Sequence, residues 1–248
     1  MKYIYEDKGL GAEVVNAIRS GDTLMLKRLL ADNPGITDAR LIGNDYEETG
    51  TSRTLLHVVA DWPGHFPNGA ASVGVLVDAG ADVNARFTGH HSETPLHWAA
   101  SSNDIEVLDA LLDAGADMEA DGAVIAGGTP LDDAVAFAQW KAARRLVERG
   151  AKTKLWTAAG LGLMDQVQKR FAGGTPPTEF EITQAFWLAC HGGQLNAAQY
   201  LLKQGADLQW IGYDGLTPYD AAVRSEANEL IEWLSSKGAK SAGERKQD

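Results

Sequence analysis

A seven-residue phrase occurs four times along this 248-residue chain: TLLHVVA from Thr54, TPLHWAA from Thr94, TPLDDAV from Thr129 and TPYDAAV from Thr217. Apolar stretches at helical spacing accompany it: VGVLVDAGADVN ending at Asn84, IEVLDALLDAGADME ending at Glu119, AARRLVERGAK ending at Lys152 and AAQYLLKQGADLQ ending at Gln209. The distance from the last small residue of one helix to the residue that closes the next is fifteen in Ala100 to Gly115, Val135 to Gly150, Ala159 to Gly174, Cys190 to Gly205 and Val223 to Gly238. Ile18 to Asn33 keeps the same interval, so a degenerate first copy precedes the others. A chain of this length is near the limit of one ordinary core. A fixed period resolves that difficulty, because each copy leaves an apolar face that only a stacked neighbour covers.

The residues within one copy explain its shape. Small residues such as Ala99 and Ala100 let the first helices approach closely, and Val107, Leu108, Leu111 and Leu112 form a stripe on the second helix that faces the next copy. Threonine before proline caps the first helix, where the missing proline N–H costs nothing. Glycine ends the second helix in a left-handed turn.

The Thr-Pro-Leu-His helix start and the Gly-Ala-Asp turn resemble the ankyrin repeat. DWPGHFPNGA, ETPLHWAA and WIGYDGLTP are similar to phrases of stand-alone bacterial ankyrin-repeat proteins. The resemblance implies an all-α solenoid of about seven helix-turn-helix repeats joined by short hairpins, with an exposed concave side. The repeats fall at approximately 10–40, 50–84, 90–119, 125–150, 151–174, 180–209 and 213–238, as one domain over 10–240, followed by a disordered tail at 241–248. His57 and His97 occupy the histidine of the motif, which implies a structural role in bonding the backbone of adjacent turns; Asp132, Trp156, Trp187 and Asp220 stand there in later copies.

Three places depart from the pattern. Ala60 to Gly80 is twenty residues, and the extra ones fall in DWPGHFPNGA, which its prolines and glycines keep from being helical. Its Trp62, His65 and Phe66 either pack on neighbouring helices or form a binding loop. Thr153 follows Gly150 by only three positions, so no hairpin fits before KLWTAAG, and a change of curvature rather than a domain boundary is expected near 150–155. Thr175-Pro176-Pro177 rules out an ordinary hairpin, and Asn33 to Thr54 reads as a long polar connector.

Charge narrows the function. Residues 1–125 carry 20 acids against 8 Lys and Arg, so the net charge of −12 lies in the first half, and no Lys or Arg occurs from Gly89 to Trp140. Such a surface repels phosphate, which argues against nucleic acid and anionic membranes as partners. No apolar run is long enough to span a bilayer, the start lacks the apolar core of a signal peptide, and the single cysteine suits a reducing, cytoplasmic compartment. No cofactor loop or nucleophile elbow is present. Cys190 beside His191 replaces a core alanine and reads as a buried, inert thiol. His57, Asp61 and His65, with His90 and His91 nearby, could hold a metal on one helix face, but Pro63 and Gly64 break that helix.

In ankyrin repeats the groove is lined by hairpin tips and by residues just after the paired small positions. Carried over by position, these are Arg53, Asp61 and Trp62, then His90, His91, Glu93, Ser101 and Ser102, then Ile125 and Phe137, then His191, and last Tyr213 and Asp214. The loop adds His65 and Phe66. Exposed aromatics are the usual content of protein interface hot spots. The reading is therefore a non-catalytic module, monomeric by default, that binds a protein or peptide, with Trp62, Phe66, His90, His91 and Tyr213 as anchors. A narrower version is an inhibitor or immunity partner of a basic toxin or nuclease. Two other classes compete: a metal-binding or small-molecule enzyme centred on residues 61–68, and a homo-oligomer that buries the Trp-bearing surface.

Overall fold

A computed structural model describes residues 2–245. The chain divides into two compact units, Met1–Ala151 and Lys152–Asp248. The first begins with β1 (Tyr3–Tyr5), the pair α1 (Gly9–Ser20) and α2 (Thr23–Asp32), β2 (Arg40–Ile42) and a short α3 (Tyr46–Thr49). Three further pairs follow: α4 (Leu55–Ala60) with α5 (Gly69–Asp78), α6 (Pro95–Ser101) with α7 (Ile105–Asp113), and α8 (Pro130–Ala136) with α9 (Trp140–Glu148). The second unit holds α10 (Leu155–Gly160) with α11 (Met164–Phe171), α12 (Glu179–His191) with α13 (Leu195–Lys203), and α14 (Pro218–Arg224) with α15 (Asn228–Ser236). A last turn, α16 (Ala242–Arg245), falls within the stretch read as a disordered tail; the remainder of that stretch, 246–248, lies outside the described residues. Among the described residues no helix is long and apolar enough to cross a membrane.

The fold is all-α, with four helix pairs in the first unit and three in the second, and within each unit the pairs stack on one another. In the first unit α1, α4, α6 and α8 pack in succession, and α2, α5, α7 and α9 form the second row. In the second unit α10, α12 and α14 form one row, and α11 packs on α13. Small side chains make the first row possible: Ala60, Ala99, Ala100, Ala134, Ala159 and Ala189 are completely buried. Leu108 and Leu111 are equally buried from the second row. Each such leucine contributes roughly 1.5–3 kcal/mol by leaving water.

One rule starts the first-row helices. Thr54, Thr94, Thr129 and Thr217 are extended N-caps, and the side chain three residues on accepts a hydrogen bond from the cap's own N–H. The acceptor is His57 Nδ1 at 3.3 Å, His97 Nδ1 at 3.1 Å, Asp132 Oδ2 at 2.8 Å or Asp220 Oδ2 at 3.0 Å. In α10 the cap is Lys154 and the acceptor is Thr157 Oγ1 at 2.8 Å, so Thr157 and not Trp156 fills the histidine's place. The helix begins one residue later than the fifteen-residue register implies. The other ring nitrogen of each histidine reaches the next hairpin: His57 Nε2 lies 3.1 Å from the Glu93 carbonyl oxygen and His97 Nε2 lies 3.3 Å from that of Gly128. Trp187 Nε1 donates to the Leu216 carbonyl at 2.9 Å and does the same work in the second unit.

The second-row helices end on Gly80, Gly115, Gly150, Gly205 and Gly238, all at positive φ between 80° and 106°. Gly174 and Asn33 do not adopt that turn. α11 stops at Phe171, and the Pro-rich connector takes over.

The polar connector 33–54 has structure of its own. β1 pairs in parallel with β2 in the register Tyr3 to Arg40, Ile4 to Leu41 and Tyr5 to Ile42, while Leu41 bridges to Arg53 and Ser52 to Thr88. Buried Arg40 holds this layer together. Its guanidinium donates to the Arg86 carbonyl at 2.8 Å, to Thr88 Oγ1 at 2.9 Å and to Ser52 Oγ at 3.1 Å.

Candidate binding surface

The inserted loop is a tether at both ends. Gly21, at φ 69°, lies so close to the loop that a Cβ there would meet the Pro67 carbonyl oxygen at 2.2 Å. Asn68 Nδ2 donates to the Gly21 carbonyl at 2.9 Å. At the other side the His65 N–H donates to Asp104 Oδ2 at 2.6 Å, and Asp104 also caps α7 through the Val107 N–H. The loop is thus held to the repeat before it and to the repeat after it. Phe66 is half-buried, His65 is exposed, and Trp62 is 79% exposed.

Trp62 stands at the rim of a cleft of about 490 Å³ in the first unit. Of the residues inferred from the sequence, the structure gathers Asp61, Trp62, Glu93, Ser101, Ser102 and Phe137 here. Trp98, Val124 and Gln139 complete the lining and were not singled out. A signal for Trp98 exists: it precedes Ser101 and Ser102 by three and four residues, which puts all three on one side of α6. Phe137 follows α8 and is 44% exposed.

Glu93 ties this cleft together although it is only 7% exposed. Its Oε2 accepts the Trp98 Nε1–H at 2.7 Å, its Oε1 accepts the Val124 N–H at 2.8 Å, and His91 Nδ1 lies 3.2 Å from Oε2. Next to it is Asp133, fully buried, neither of whose carboxyl oxygens has a hydrogen-bond partner within bonding geometry. Burial, and then the charge of Glu93, push the Asp133 carboxyl up to about 9.

Other inferred residues are occupied. Arg53 bonds Glu6 Oε2 and Asp61 Oδ2, both at 2.8 Å, and its guanidinium sits 5.8 Å from the centre of the Trp98 ring. His91 stacks on Phe87 with ring centres 4.3 Å apart, His90 meets it edge-on at 4.6 Å, and burial lowers the His91 pKa. His90 is exposed, and Ile125 is half-buried in the hairpin that follows α7.

The remaining three form a group in the second unit. Exposed Tyr213 meets Trp187 edge-on at 5.2 Å, His191 is buried against Trp187 at 5.3 Å, and Asp214 pairs with Arg224 at 2.6 Å.

The metal set does not assemble. His57 is fully buried with both ring nitrogens engaged, and burial lowers its pKa to about 3. The Asp61 carboxylate faces Arg53 and Arg19, and among the described residues no three His, Cys, Asp or Glu side chains converge. The thiol of buried Cys190 is pushed up by burial, opposite to what a nucleophile needs. Of the acids between Gly89 and Trp140, Glu93, Asp104, Asp132 and Asp133 are buried, and Asp109, Asp113 and Asp121 pair with arginine.

Paired helices stacked through small residues and joined by hairpins define a helical-repeat protein, and the cleft of its first unit offers aromatic and hydrogen-bonding surface. A family model of ankyrin repeats in three copies matches residues 14–121, 68–155 and 155–242. The chain belongs to the ankyrin-repeat family, whose members are generally protein-interaction modules and typically not enzymes. It is also similar to the Caenorhabditis elegans protein "Ankyrin repeat and KH domain-containing protein mask-1", at 28% identity over 141 residues, which is 57% of this chain and 4% of that protein.

Proposed function

We propose that this protein is a non-catalytic binding module that takes a protein or peptide segment on the face of the first unit marked by Trp62 and Phe137. The observation that carries the reading is the exposure of Trp62, 79%, at the rim of a cleft whose other wall ends in Phe137. Large exposed aromatics beside a concave, hydrogen-bonding surface are what interface hot spots consist of. His90 and the loop residues His65 and Phe66 flank this face as further contacts, with Tyr213 and Asp214 as a separate candidate patch in the second unit. The buried, unreactive Cys190 suits a reducing, cytoplasmic location. The narrower role of inhibiting a basic toxin or nuclease has net charge behind it, but seven of the ten acids in the acid-rich stretch are buried or paired, so general binding is the better supported form.

The test is retention of a partner from native lysate by the wild-type chain and by a Trp62→Ala, Phe137→Ala double variant of equal folded stability. A partner held by the first and lost by the second supports the reading. Equal retention overturns the choice of face. Sedimentation of the purified chain over a concentration range separates this from self-association, which would raise the mass with concentration in a Trp62-dependent way.

A further inference from the structure

The second unit has a pocket of its own, at the place where its repeat pattern fails. α10 starts one residue late, so Trp156 leaves the position of the motif's histidine, and its half-buried indole lines a cavity of about 350 Å³. Such a volume falls within the roughly 300–1,000 Å³ of small ligand sites. Thr175-Pro176-Pro177 stands where a hairpin would close the repeat, and both prolines line the same cavity. A proline has no N–H to satisfy and offers a rigid apolar ring. Leu155, Trp156 and the two prolines make the apolar part of the lining.

The charged part of the lining is Lys154, Arg170 and Glu181. Lys154 Nζ stands 5.9 Å from the centre of the Trp156 ring, and Arg170 Nη2 donates to the Thr153 carbonyl, a bond that uses one of a guanidinium's five N–H donors. Glu181 Oε2 accepts both the N–H and the hydroxyl of Thr178 at 2.8 Å, as the cap of α12 requires. Two cations against one capped carboxylate leave the lining one positive charge in excess, on a chain whose net charge is −12. Gln184, also in the lining, donates through Nε2 to the Tyr213 hydroxyl. From Tyr213 the rings continue to Trp210, with centres 5.8 Å apart, and from there over 6.0 Å to Phe180, which is 60% exposed. An apolar strip therefore runs out of the pocket, which a segment of several residues covers and a single small anion does not.

We infer that this pocket receives an acidic residue of a partner peptide, its carboxylate against Lys154 and Arg170 and its apolar neighbours on Trp156, on Pro177 and along the strip that starts at Tyr213. A guanidinium and an ammonium bind a carboxylate through charge-assisted hydrogen bonds. The rings and prolines favour a peptide over free phosphate, and the negative charge of the whole chain opposes a phosphate-rich polymer or membrane. The site is separate from the face marked by Trp62 and Phe137 and does not depend on it.

The probe is an acetylated and amidated Gly-Leu-Glu-Leu-Gly peptide and its glutamine counterpart, titrated into the full chain while the Trp156 indole N–H resonance is followed by NMR. The glutamate peptide is expected to shift that resonance saturably and to bind at least fivefold tighter than the glutamine peptide. Lys154→Gln and Arg170→Gln, with the spectrum of the folded protein kept, are each expected to weaken the glutamate peptide at least threefold. Lys169→Gln, which removes an equal charge from the position next to Arg170 but outside the lining, should leave it unchanged. Equal binding of the two peptides, an unmoved Trp156, an equal effect of Lys169→Gln, or an equal shift by inorganic phosphate at the same concentration would each overturn the inference. If a pocket variant does not fold, the comparison of the two peptides on the wild-type chain still decides. Trp62→Ala, Phe137→Ala is expected to leave this titration unchanged, so the face proposed above and this pocket fail separately.

Discussion

His57 reaches 36 residues along the chain to the carbonyl of Glu93, with its Nε2 3.1 Å from that oxygen. Its other nitrogen accepts the Thr54 N–H, so one neutral ring starts its own helix and holds the hairpin of the following repeat. Making both bonds at once needs the uncharged imidazole, because Nδ1 can accept only when it carries no proton while Nε2–H donates. The His57 ring also meets Trp98 edge-on at 4.9 Å, which places a structural residue against one that lines the cleft.

His57→Ala should lower stability by about 2–4 kcal/mol, from the lost bonds, an unpaired buried carbonyl and a cavity. Urea denaturation at pH 7 reads this directly. A loss below about 1 kcal/mol would mean that the bridge between repeats contributes little.

Acid should unfold the protein partly through this residue. The folded pKa of His57 is about 3 against an ordinary 6.5, so between these values the unfolded chain binds the proton and the folded one does not. Stability is therefore complete above pH 6.5 and falls as pH drops toward 3, by up to about 1.4 kcal/mol per unit from this group. A His57→Gln variant should show a shallower decline in urea midpoint from pH 7 to pH 4.5.

Asp133 acts in the opposite sense. Its folded pKa of about 9 exceeds the ordinary 3.8, so the folded state holds the proton over that range and the unfolded state does not. Stability from this group is full below pH 3.8 and is lost as pH rises toward 9. Asp133→Asn, which stays neutral, should gain on wild type as pH rises from 5 to 8, with a slope of up to about 1.4 kcal/mol per unit. A difference independent of pH would show Asp133 to be ionised in the folded protein.

Within the inserted loop the two aromatics should behave differently. Trp62→Ala should change stability by less than about 0.5 kcal/mol, as exposed positions do, whereas half-buried Phe66→Ala should cost about 1–2 kcal/mol. Thermal or urea melts of the two variants provide the comparison, and equal losses would place Trp62 in the packing.

Much of this was legible because it is governed by local rules repeated in register. The threonine caps, the closing glycines and the roles of His57 and His97 each depend on a few neighbouring residues. The parts that escaped depend on distant ones. β2 is three residues of an otherwise polar connector, and it becomes a strand only because Tyr3–Tyr5 lies beside it and Arg40 finds carbonyls to bond. Thr157 replaces Trp156 at the cap because α10 starts one residue late, a shift the fifteen-residue spacing does not register. The surface was read residue by residue from hairpin tips, which gave Glu93, and from the positions just after the paired small residues, which gave Trp62 and Phe137. Those rules could not separate exposed His90 from His91, whose ring is stacked on Phe87, or show that Asp133, an ordinary helix acid in the sequence, lies against Glu93.

The two anchors of the inserted loop have a consequence for how the first unit comes apart. In a repeat array the coupling between neighbours normally runs through the stacked helix faces alone, and an end copy can fray while the rest persists. Here the same ten-residue segment is bonded to Gly21 before it and Asp104 after it. Opening the first copy releases Asn68, and opening the third releases His65, so either event loosens the segment that carries Trp62. Copies one to three should therefore exchange their amide protons as a single cooperative block, and whatever seizes Trp62 would slow the opening of all three.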